Sequence, residues 1–356
     1  MLSFPPVSPR NDLFRDVRIT RIIQETPDSK TFVLEPVEGT FPYQAGQFLT
    51  FVFPMMAGLS RRSYSFSSAP GEMPAVTIKR ISNGAFSRPL LEQAKPGDLL
   101  TIVGGASGFF TLPEDISGYD QVFFLAAGRG ITPVYSLIKS LVTTERRIPA
   151  VLVYSNSTPE RTLFRKPLED LAARNRDRLK IEWLFSNKQD LWKARLNKLV
   201  LEMILHEKMK GSPSRTLVYL CGPFDYMRMA AIVLQSEGIP PENIKREVFT
   251  PDIPVSPVRP PDVDAHKVKI LIHGQTHQLS VQYPDSILRA ARKRGIELPY
   301  SCEAGRCGSC VASCTSGKVW MLYNEVLTDR EVEEGRVLVC NGFPIGGDAV
   351  IEFDGA

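Results

Sequence analysis

The chain has 356 residues, a length that predicts two or three domains. Its apolar fraction of 43% and charged fraction of 23% are ordinary for a globular protein, and a net charge of +4 is too small to indicate nucleic-acid binding. No run approaches the ~18–20 apolar residues that span a bilayer, and residues 1–10 lack the apolar core of a signal peptide. We therefore expect a cytoplasmic protein without a membrane span.

The first part of the chain predicts a small antiparallel β-barrel. Short runs rich in β-branched and aromatic residues alternate with Pro, Gly and Asn, at 16–26, 30–36, 46–53, 60–68 and 75–82. Regular short strands of this kind are typical of barrels. We assign residues 10–112 to this domain.

The pattern then changes to alternating strands and helices. Apolar runs predict buried strands at 119–128, 148–156, 179–187 and 216–223. Apolar-faced stretches predict helices at 131–142, 165–175 and 224–238. This alternation is typical of βαβ units around a parallel sheet. We assign residues 113–250 to an α/β domain.

A proline-rich segment separates this part from the last one. Five prolines occur in the eleven residues from Pro251 to Pro261, which predicts a semi-rigid linker that we place at 251–265. A hairpin-like pair follows at 266–274 and 276–283, and then a helix capped by Asp285 or Ser286 and ended by Gly295. We assign residues 266–356 to an α+β domain.

Four cysteines of this last domain have the spacing of a plant-type [2Fe–2S] site. Cys302, Cys307 and Cys310 form C-x4-C-x2-C, and Cys340 is the distant fourth ligand. A structural zinc site usually has a second C-x2-C pair, which this chain lacks, and a secreted disulfide framework would normally spread its cysteines. We predict a one-electron carrier with a potential of about −400 mV. Cys314 lies outside the pattern, and we expect it to be a small buried residue; a redox role or a role as a replacement ligand is the alternative.

Two segments of the barrel domain suit a flavin. A flavin could accept the two electrons of a hydride and pass them one at a time to such a carrier. Arg62 and Tyr64 place a cation and a ring on one strand face, as a pyrophosphate beside a flat ring requires; a surface pair is the alternative. Lys79 ends a strand, and the segment 84–87 precedes a helix, where a hydroxyl and free N–H groups suit phosphate. A capped surface helix is the alternative there.

Two turns of the α/β domain suit a nicotinamide nucleotide. A G-x-G-x-x-P turn follows a buried strand. It departs from the usual G-x-G-x-x-G fingerprint because proline replaces the last glycine, and a plain βα turn is the alternative. A second turn closes another strand at the carboxyl edge, where ligands bind in such sheets. The residues of these turns are Gly128, Gly130, Thr132 and Pro133, and Cys221, Gly222 and Pro223.

In their order and spacing these motifs resemble the ferredoxin–NADP reductase superfamily. The R-x-Y-S motif at 62–65, the G-x-x-S segment at 84–87, the G-x-G-x-x-P turn and Cys-Gly-Pro carry the resemblance. The segment 247–249 is similar to the terminal segment of that family, whose aromatic residue can cover the flavin. With its plant-type ferredoxin domain, the chain resembles the reductases of bacterial oxygenases, phenylacetyl-CoA epoxidase reductases among them.

The resemblance implies a β-grasp fold for the ferredoxin domain, FAD as the flavin, and roles for individual residues. FAD would be bound by Arg62, Ser63, Tyr64, Ser65, Lys79, Gly84, Ala85, Phe86, Ser87 and Phe249. The nucleotide, NADPH or NADH, would be bound by Gly128, Gly130, Thr132, Pro133, Cys221, Gly222 and Pro223. Ser65 and Cys221 would lie on the hydride path, with Cys221 setting shape rather than acting as a nucleophile. Arg129 departs from the family, which usually has a small residue at this position. Its side chain could contact a phosphate or point to solvent, and both alternatives are open.

The implied activity is hydride transfer from NAD(P)H to flavin, followed by single-electron transfer through the cluster to a terminal oxygenase, a hydroxylase or another acceptor protein. A Rieske ring-hydroxylating oxygenase, a desaturase and a di-iron hydroxylase are alternative acceptors, and a non-catalytic metal-binding interaction module is an alternative of another class. The absence of an acid after Tyr154 favours NADPH, with Arg161 or Arg165 near its 2′-phosphate. Four basic residues near the cluster could meet an acidic acceptor, and solvated charges on an ordinary helix are the alternative; they are Arg292, Lys293, Arg294 and Arg306.

Overall fold

The computed structural model describes residues 13–55, 58–81, 84, 86–144, 148–187, 194–249 and 258–353. Ala85 and most of the predicted linker, up to residue 257, lie outside these ranges. The chain divides into two compact units: one spans Asp16–Ala106 and Phe110–Phe249, and the other holds the described residues after Phe249 with the short segments 13–15 and 107–109. None of the described helices is long and apolar enough to cross a membrane.

The first unit begins with a six-stranded sheet in the order β4-β3-β6-β1-β2-β5. A bridge between Phe66, just after β4, and Val76 of β5 joins its two outer strands, so the sheet closes into the predicted barrel. Aromatic and aliphatic side chains fill the interior, Phe32 and Phe51 among them. The elements are β1 (Phe14–Thr26), β2 (Ser29–Pro36), β3 (Phe48–Met55), β4 (Gly58–Ser65), β5 (Ala75–Lys79), α1 (Ser87–Gln93) and β6 (Leu99–Val103).

The second half of this unit is a five-stranded parallel sheet, as predicted, in the order β11-β10-β7-β8-β9. Its strands are β7 (Gln121–Ala127), β8 (Ala150–Asn156), β9 (Leu179–Phe185), β10 (Thr216–Cys221) and β11 (Ile244–Glu247). Its helices are α2 (Ile131–Thr143), α3 (Arg165–Arg174), α4 (Lys198–Lys208) and α5 (Phe224–Ser236). Short 3₁₀ turns lie at Ile116–Gly118, Gly128–Gly130, Pro159–Arg161, Pro213–Arg215 and Pro241–Asn243.

Helices cover both faces of this sheet. Side chains of α2 pack with Phe124 on one face, and those of α4 and α5 pack with Phe123 on the other, because successive strand residues point to opposite sides. The sequence pattern did not predict α4. Two apolar residues on its outer side, Leu199 and Met203, are 62% and 44% exposed, and they obscure the one-sided pattern of a surface helix.

The second unit is a small α+β fold of the predicted kind. Its five-stranded sheet runs β13-β12-β18-β14-β16, with β12 parallel to β18 and antiparallel to β13. The elements are β12 (His266–Ile272), β13 (Gln275–Val281), α6 (Ile287–Lys293), β14 (Val311–Ser316), β15 (Val319–Met321), α7 (Asp329–Glu333), β16 (Arg336–Leu338), β17 (Gly342–Pro344) and β18 (Ala349–Glu352). Ser286, one of the two predicted caps of α6, accepts a hydrogen bond from the N–H of Arg289. The residue boundaries of the three domains stay a prediction.

Candidate flavin, nucleotide and iron–sulfur sites

The parallel sheet reverses its winding direction between β7 and β10. The chain moves outward from β7 to β8 and β9, and then returns to β10 on the other side of β7. Ligands of such sheets bind in the crevice at the carboxyl ends of the two strands at this point. The predicted turns follow these two strands, at 128–133 and 221–223, so the fold brings them together.

The two turns touch so closely that one position requires glycine. A Cβ atom on Gly130 would overlap the backbone carbonyl of Cys221. Gly128 has φ +55°, a left-handed conformation that favours glycine, and its carbonyl accepts a hydrogen bond from the Tyr154 hydroxyl at 3.0 Å. The turn is therefore a fixed part of the sheet edge.

The start of α2 satisfies its own polar groups in part. The Thr132 hydroxyl donates to the carbonyl of Arg129 at 3.0 Å, and Pro133 lies in the first helical turn, where its missing N–H costs nothing. The remaining N–H groups of this turn face the crevice end of the helix, where the helix dipole favours an anion. This is the chemistry that a dinucleotide phosphate requires.

Strand β4 brings the two predicted flavin segments together. The exposed guanidinium of Arg62 lies 4.6 Å from the centre of the Phe86 ring, so the 62–65 motif contacts the 84–87 segment. Tyr64 lies on the same strand face, and burial raises its pKa to about 12. An exposed cation beside an aromatic face fits a pyrophosphate joined to a flat apolar ring.

The other residues predicted around this segment make contacts of their own. Lys79, at the end of β5, forms an ion pair with Asp28 at 3.5 Å. Ser87 is buried, and its hydroxyl accepts from the N–H of Ile81 at 3.1 Å. Ala85 lies outside the described residues. Ser87 therefore shapes the loop as well as standing at the start of α1.

The carboxyl group of Glu247, which the sequence placed in the 247–249 segment without giving it a role, lies where the barrel meets the sheet. Glu247 ends β11, directly opposite Cys221 in the parallel register. The Ser65 hydroxyl donates to its two carboxylate oxygens at 3.4 and 3.5 Å. Burial raises the pKa of Glu247 to about 8 despite this hydrogen bond, because desolvation disfavours the charged form. The carboxyl group is therefore largely protonated at neutral pH.

Cys221 is buried beside this carboxyl group. Desolvation, followed by the charge of Glu247, raises the pKa of its thiol well above the ordinary value. The thiol is thus neutral, and a reactive cysteine would require the opposite shift. Its geometry fits a residue that sets the shape of the crevice.

Phe249 and Arg129 meet at the same edge of the sheet. The guanidinium of Arg129 lies 6.0 Å from the centre of the Phe249 ring, and Arg129 is exposed. Its charge lowers the pKa of both Tyr64 and Cys221, so its field reaches the two predicted sites. Both roles of Arg129, contact with a phosphate or with solvent, stay predictions.

The four predicted cluster ligands form two pairs of neighbouring sulfurs. Cys302 hydrogen-bonds Cys307, and Cys310 hydrogen-bonds Cys340. Among the described residues no three His, Cys, Asp or Glu side chains surround a single ion. A two-iron cluster with four thiolates does not require this, since each iron takes two of them.

Backbone N–H groups of the ligand loop point at the sulfurs. The N–H groups of Ala304 and Arg306 both donate to the Cys302 sulfur at 3.4 Å. The loop reaches this conformation through Gly305 at φ +71° and Gly308 at φ +75°. Such N–H to sulfur bonds favour thiolates, the form that binds iron. The residues present therefore fit the predicted cluster.

Comparisons with known proteins match two of the predicted domains. Residues 124–231 match the family model of the oxidoreductase NAD-binding domain, and residues 270–344 match that of the 2Fe-2S iron-sulfur cluster binding domain. The ferredoxin reductase component of 3-ketosteroid-9-alpha-monooxygenase from Rhodococcus rhodochrous is 31% identical over 94% of this chain and 95% of its own length. The chain belongs to the reductase components of oxygenases.

Two further comparisons place the reductase within this family. One component of the 1,2-phenylacetyl-CoA epoxidase of Escherichia coli (strain K12) is 30% identical over 96% of the reductase and 98% of its own length. The solved structure of phthalate dioxygenase reductase has a TM-score of 0.57 and 26% identity, and covers 96% of this chain and 98% of its own. That protein is a modular structure for electron transfer from pyridine nucleotides to [2Fe-2S]. The predicted fold class and family are confirmed.

The structure corrects two expectations about the reductase. The side chain of Arg306 is only 1% exposed, so it cannot meet an acceptor, because its guanidinium lies inside the fold. Arg292 and Lys293 are exposed but ion-paired, with Glu303 at 3.1 Å and Asp285 at 2.5 Å. Cys314 is partly exposed on β14 rather than buried, because its strand lies near the edge of the sheet.

Proposed function

We propose that this chain takes hydride from NAD(P)H and delivers single electrons to the oxygenase it serves. The observation that carries the proposal is the contact of Ser65 with Glu247, which joins the flavin motif to the sheet edge that holds the nucleotide turns. The four-cysteine loop on the same chain supplies the one-electron exit. A flavin supplies the chemistry between them, since it accepts a hydride and returns electrons singly.

The residues of the barrel bind and orient FAD in this proposal. Arg62 would neutralise the pyrophosphate, and Tyr64 and Ser65 would hold the flavin ring, with the Ser65 hydroxyl bonded to Glu247. The other residues proposed to contact the phosphates or the exposed face of the flavin ring are Ser63, Lys79, Gly84, Ala85, Phe86, Ser87 and Phe249. The protonated Glu247 keeps a negative charge away from the hydride path at neutral pH.

The residues of the sheet edge bind the nucleotide. The turn at 128–133 would hold the pyrophosphate at the N-terminus of α2, and the turn at 221–223 would hold the nicotinamide. Arg129 adds a cation that the bound phosphates can meet. Strand β8 ends in Ser155 and Asn156 without an acid, which supports NADPH over NADH.

The acceptor is proposed to be a terminal oxygenase, and its identity differs among the relatives. The two named relatives serve a 3-ketosteroid-9-alpha-monooxygenase and a 1,2-phenylacetyl-CoA epoxidase. A Rieske ring-hydroxylating oxygenase or a desaturase would use the same electron path. We propose a cytoplasmic location, because the thiols that hold the cluster must stay reduced, as they do in that compartment.

The test separates electron uptake from electron release. In a Cys340→Ser variant of the full chain, NADPH should still bleach the flavin absorbance, while reduction of the protein acceptor cytochrome c should fall at least about tenfold, because the cluster lacks one ligand. Cys314→Ser is the matched control and should behave as the wild type. An unchanged rate of cytochrome c reduction in Cys340→Ser would contradict the proposed exit.

A further inference from the structure

A buried ion pair lies directly at the cluster loop. Arg306 stands between Gly305 and the ligand Cys307, and its side chain is 1% exposed. Its Nε lies 3.5 Å from a carboxylate oxygen of Glu325, whose side chain is 19% exposed. Charged side chains are almost never buried unless they are paired, so these two charges depend on each other.

Both members of the pair are fastened to the ligand loop. The backbone N–H of Glu325 donates to the carbonyl of Gly305 at 3.0 Å. The Tyr323 hydroxyl donates to the carboxylate of Glu325, and the Arg306 guanidinium lies 5.1 Å from the centre of the Tyr323 ring. The amide of Asn341, the residue after the ligand Cys340, donates to the Tyr323 carbonyl at 2.6 Å. The two charges therefore hold fixed positions relative to the cysteine ligands.

The pair lies where its charges can act on the electron that the cluster gains on reduction. The backbone N–H of Arg306 donates to the sulfur of the ligand Cys302 at 3.4 Å, and Arg306 is joined by a peptide bond to the ligand Cys307. Its guanidinium is therefore carried by a residue in direct contact with two ligands. Reduction of the site adds one negative charge, which a nearby cation stabilises and a nearby anion opposes. Burial strengthens both effects, because little water screens them.

We propose that the Arg306–Glu325 pair sets the reduction potential of the cluster. Arg306 raises the potential and Glu325 lowers it. With both charges present, the potential lies between the values that the cluster would have with either charge alone. Both residues are positioning residues that act through the electrostatic field and touch no substrate. The inference rests on the proposed function in one respect, namely that the four cysteines hold a [2Fe–2S] cluster.

The test measures the midpoint potential of the purified full-length protein by anaerobic redox titration, followed by electron paramagnetic resonance. Arg306→Gln should shift the potential downward and Glu325→Gln should shift it upward. The double variant should return close to the wild type, because no net charge is left unbalanced. The matched control is the exposed pair Arg330 and Glu334, with side chains 86% and 56% exposed, whose Gln variants should leave the potential unchanged.

Shifts of the midpoint potential in opposite directions distinguish this electrostatic role from a structural one. If the pair only held the loop in shape, both single variants would expose the site to water and shift the potential in the same direction. Shifts of one sign, or no shift in either variant, would overturn the inference. Should Arg306→Gln fail to assemble the cluster, Arg306→Lys keeps the charge and should stay near the wild-type potential, and Glu325→Gln must still shift it upward. Wild-type protein without iron and sulfide would refute the proposed function as well.

Discussion

The protonated carboxyl group of Glu247 predicts a specific dependence of hydride transfer on pH. With a pKa raised to about 8 by burial, neutral Glu247 outnumbers the ionised form about tenfold at pH 7, and the ratio reverses at pH 9. Ionisation places a negative charge beside Ser65 and Cys221, where it opposes the arrival of a hydride. The rate of hydride transfer should therefore fall as the pH rises through about 8, approaching a tenfold loss per pH unit at the alkaline end.

The assay is anaerobic stopped-flow mixing with NADPH, with the flavin absorbance followed between pH 6 and pH 10. Glu247→Gln keeps the shape of a neutral carboxyl group and cannot ionise, so its rate should resemble the wild type at pH 7 and show no fall near pH 8. Glu242→Gln, at an exposed residue of the turn before β11, is the matched control and should keep the wild-type profile. A fall near pH 8 that survives in Glu247→Gln would show that another group causes it.

Three further predictions concern space and ligation. Gly130→Ala should raise the KM for NADPH at least about tenfold, because its Cβ would overlap the next turn and push the nucleotide turns apart; Gly118→Ala, which meets open space, should leave the KM unchanged. Gly305→Ala should lower the iron content, because its Cβ would overlap a backbone carbonyl, whereas Gly346→Ala has nearly the same φ and open space and should keep the iron; equal losses in both would assign the effect to φ alone. Cys314→Ser should keep the full iron content and visible spectrum, and a loss of either would make Cys314 a ligand.

Local patterns predicted the cluster and the order of the domains. The C-x4-C-x2-C spacing is a short-range property of the ligand loop, and the conformations of Gly305 and Gly308 follow from the tight wrapping that this spacing demands. The alternation of apolar runs predicted the parallel sheet, because buried parallel strands read as continuous apolar segments. The strand order, which places the turns at 128–133 and 221–223 side by side, required the structure.

Contacts between distant segments could not be read from the sequence. Ser65 and Glu247 are 182 residues apart, and only the folded chain shows that the hydroxyl meets the carboxyl group. The burial of Arg306 was equally hidden, because an arginine in a glycine-rich loop ordinarily points to solvent and its partner Glu325 lies on a separate segment. Helix α4 was missed because its exposed side also carries apolar residues.

In the proposed function, one chain carries electrons from NADPH through a flavin to a [2Fe–2S] cluster. Anaerobic titration of the purified protein with NADPH tests it most directly, with the flavin and cluster absorbances recorded together and the reduced cluster detected by electron paramagnetic resonance. We expect an uptake of about three electrons per chain, two for the flavin and one for the cluster. A colourless protein, or bleaching that ends at about two electrons without a cluster signal, would contradict it.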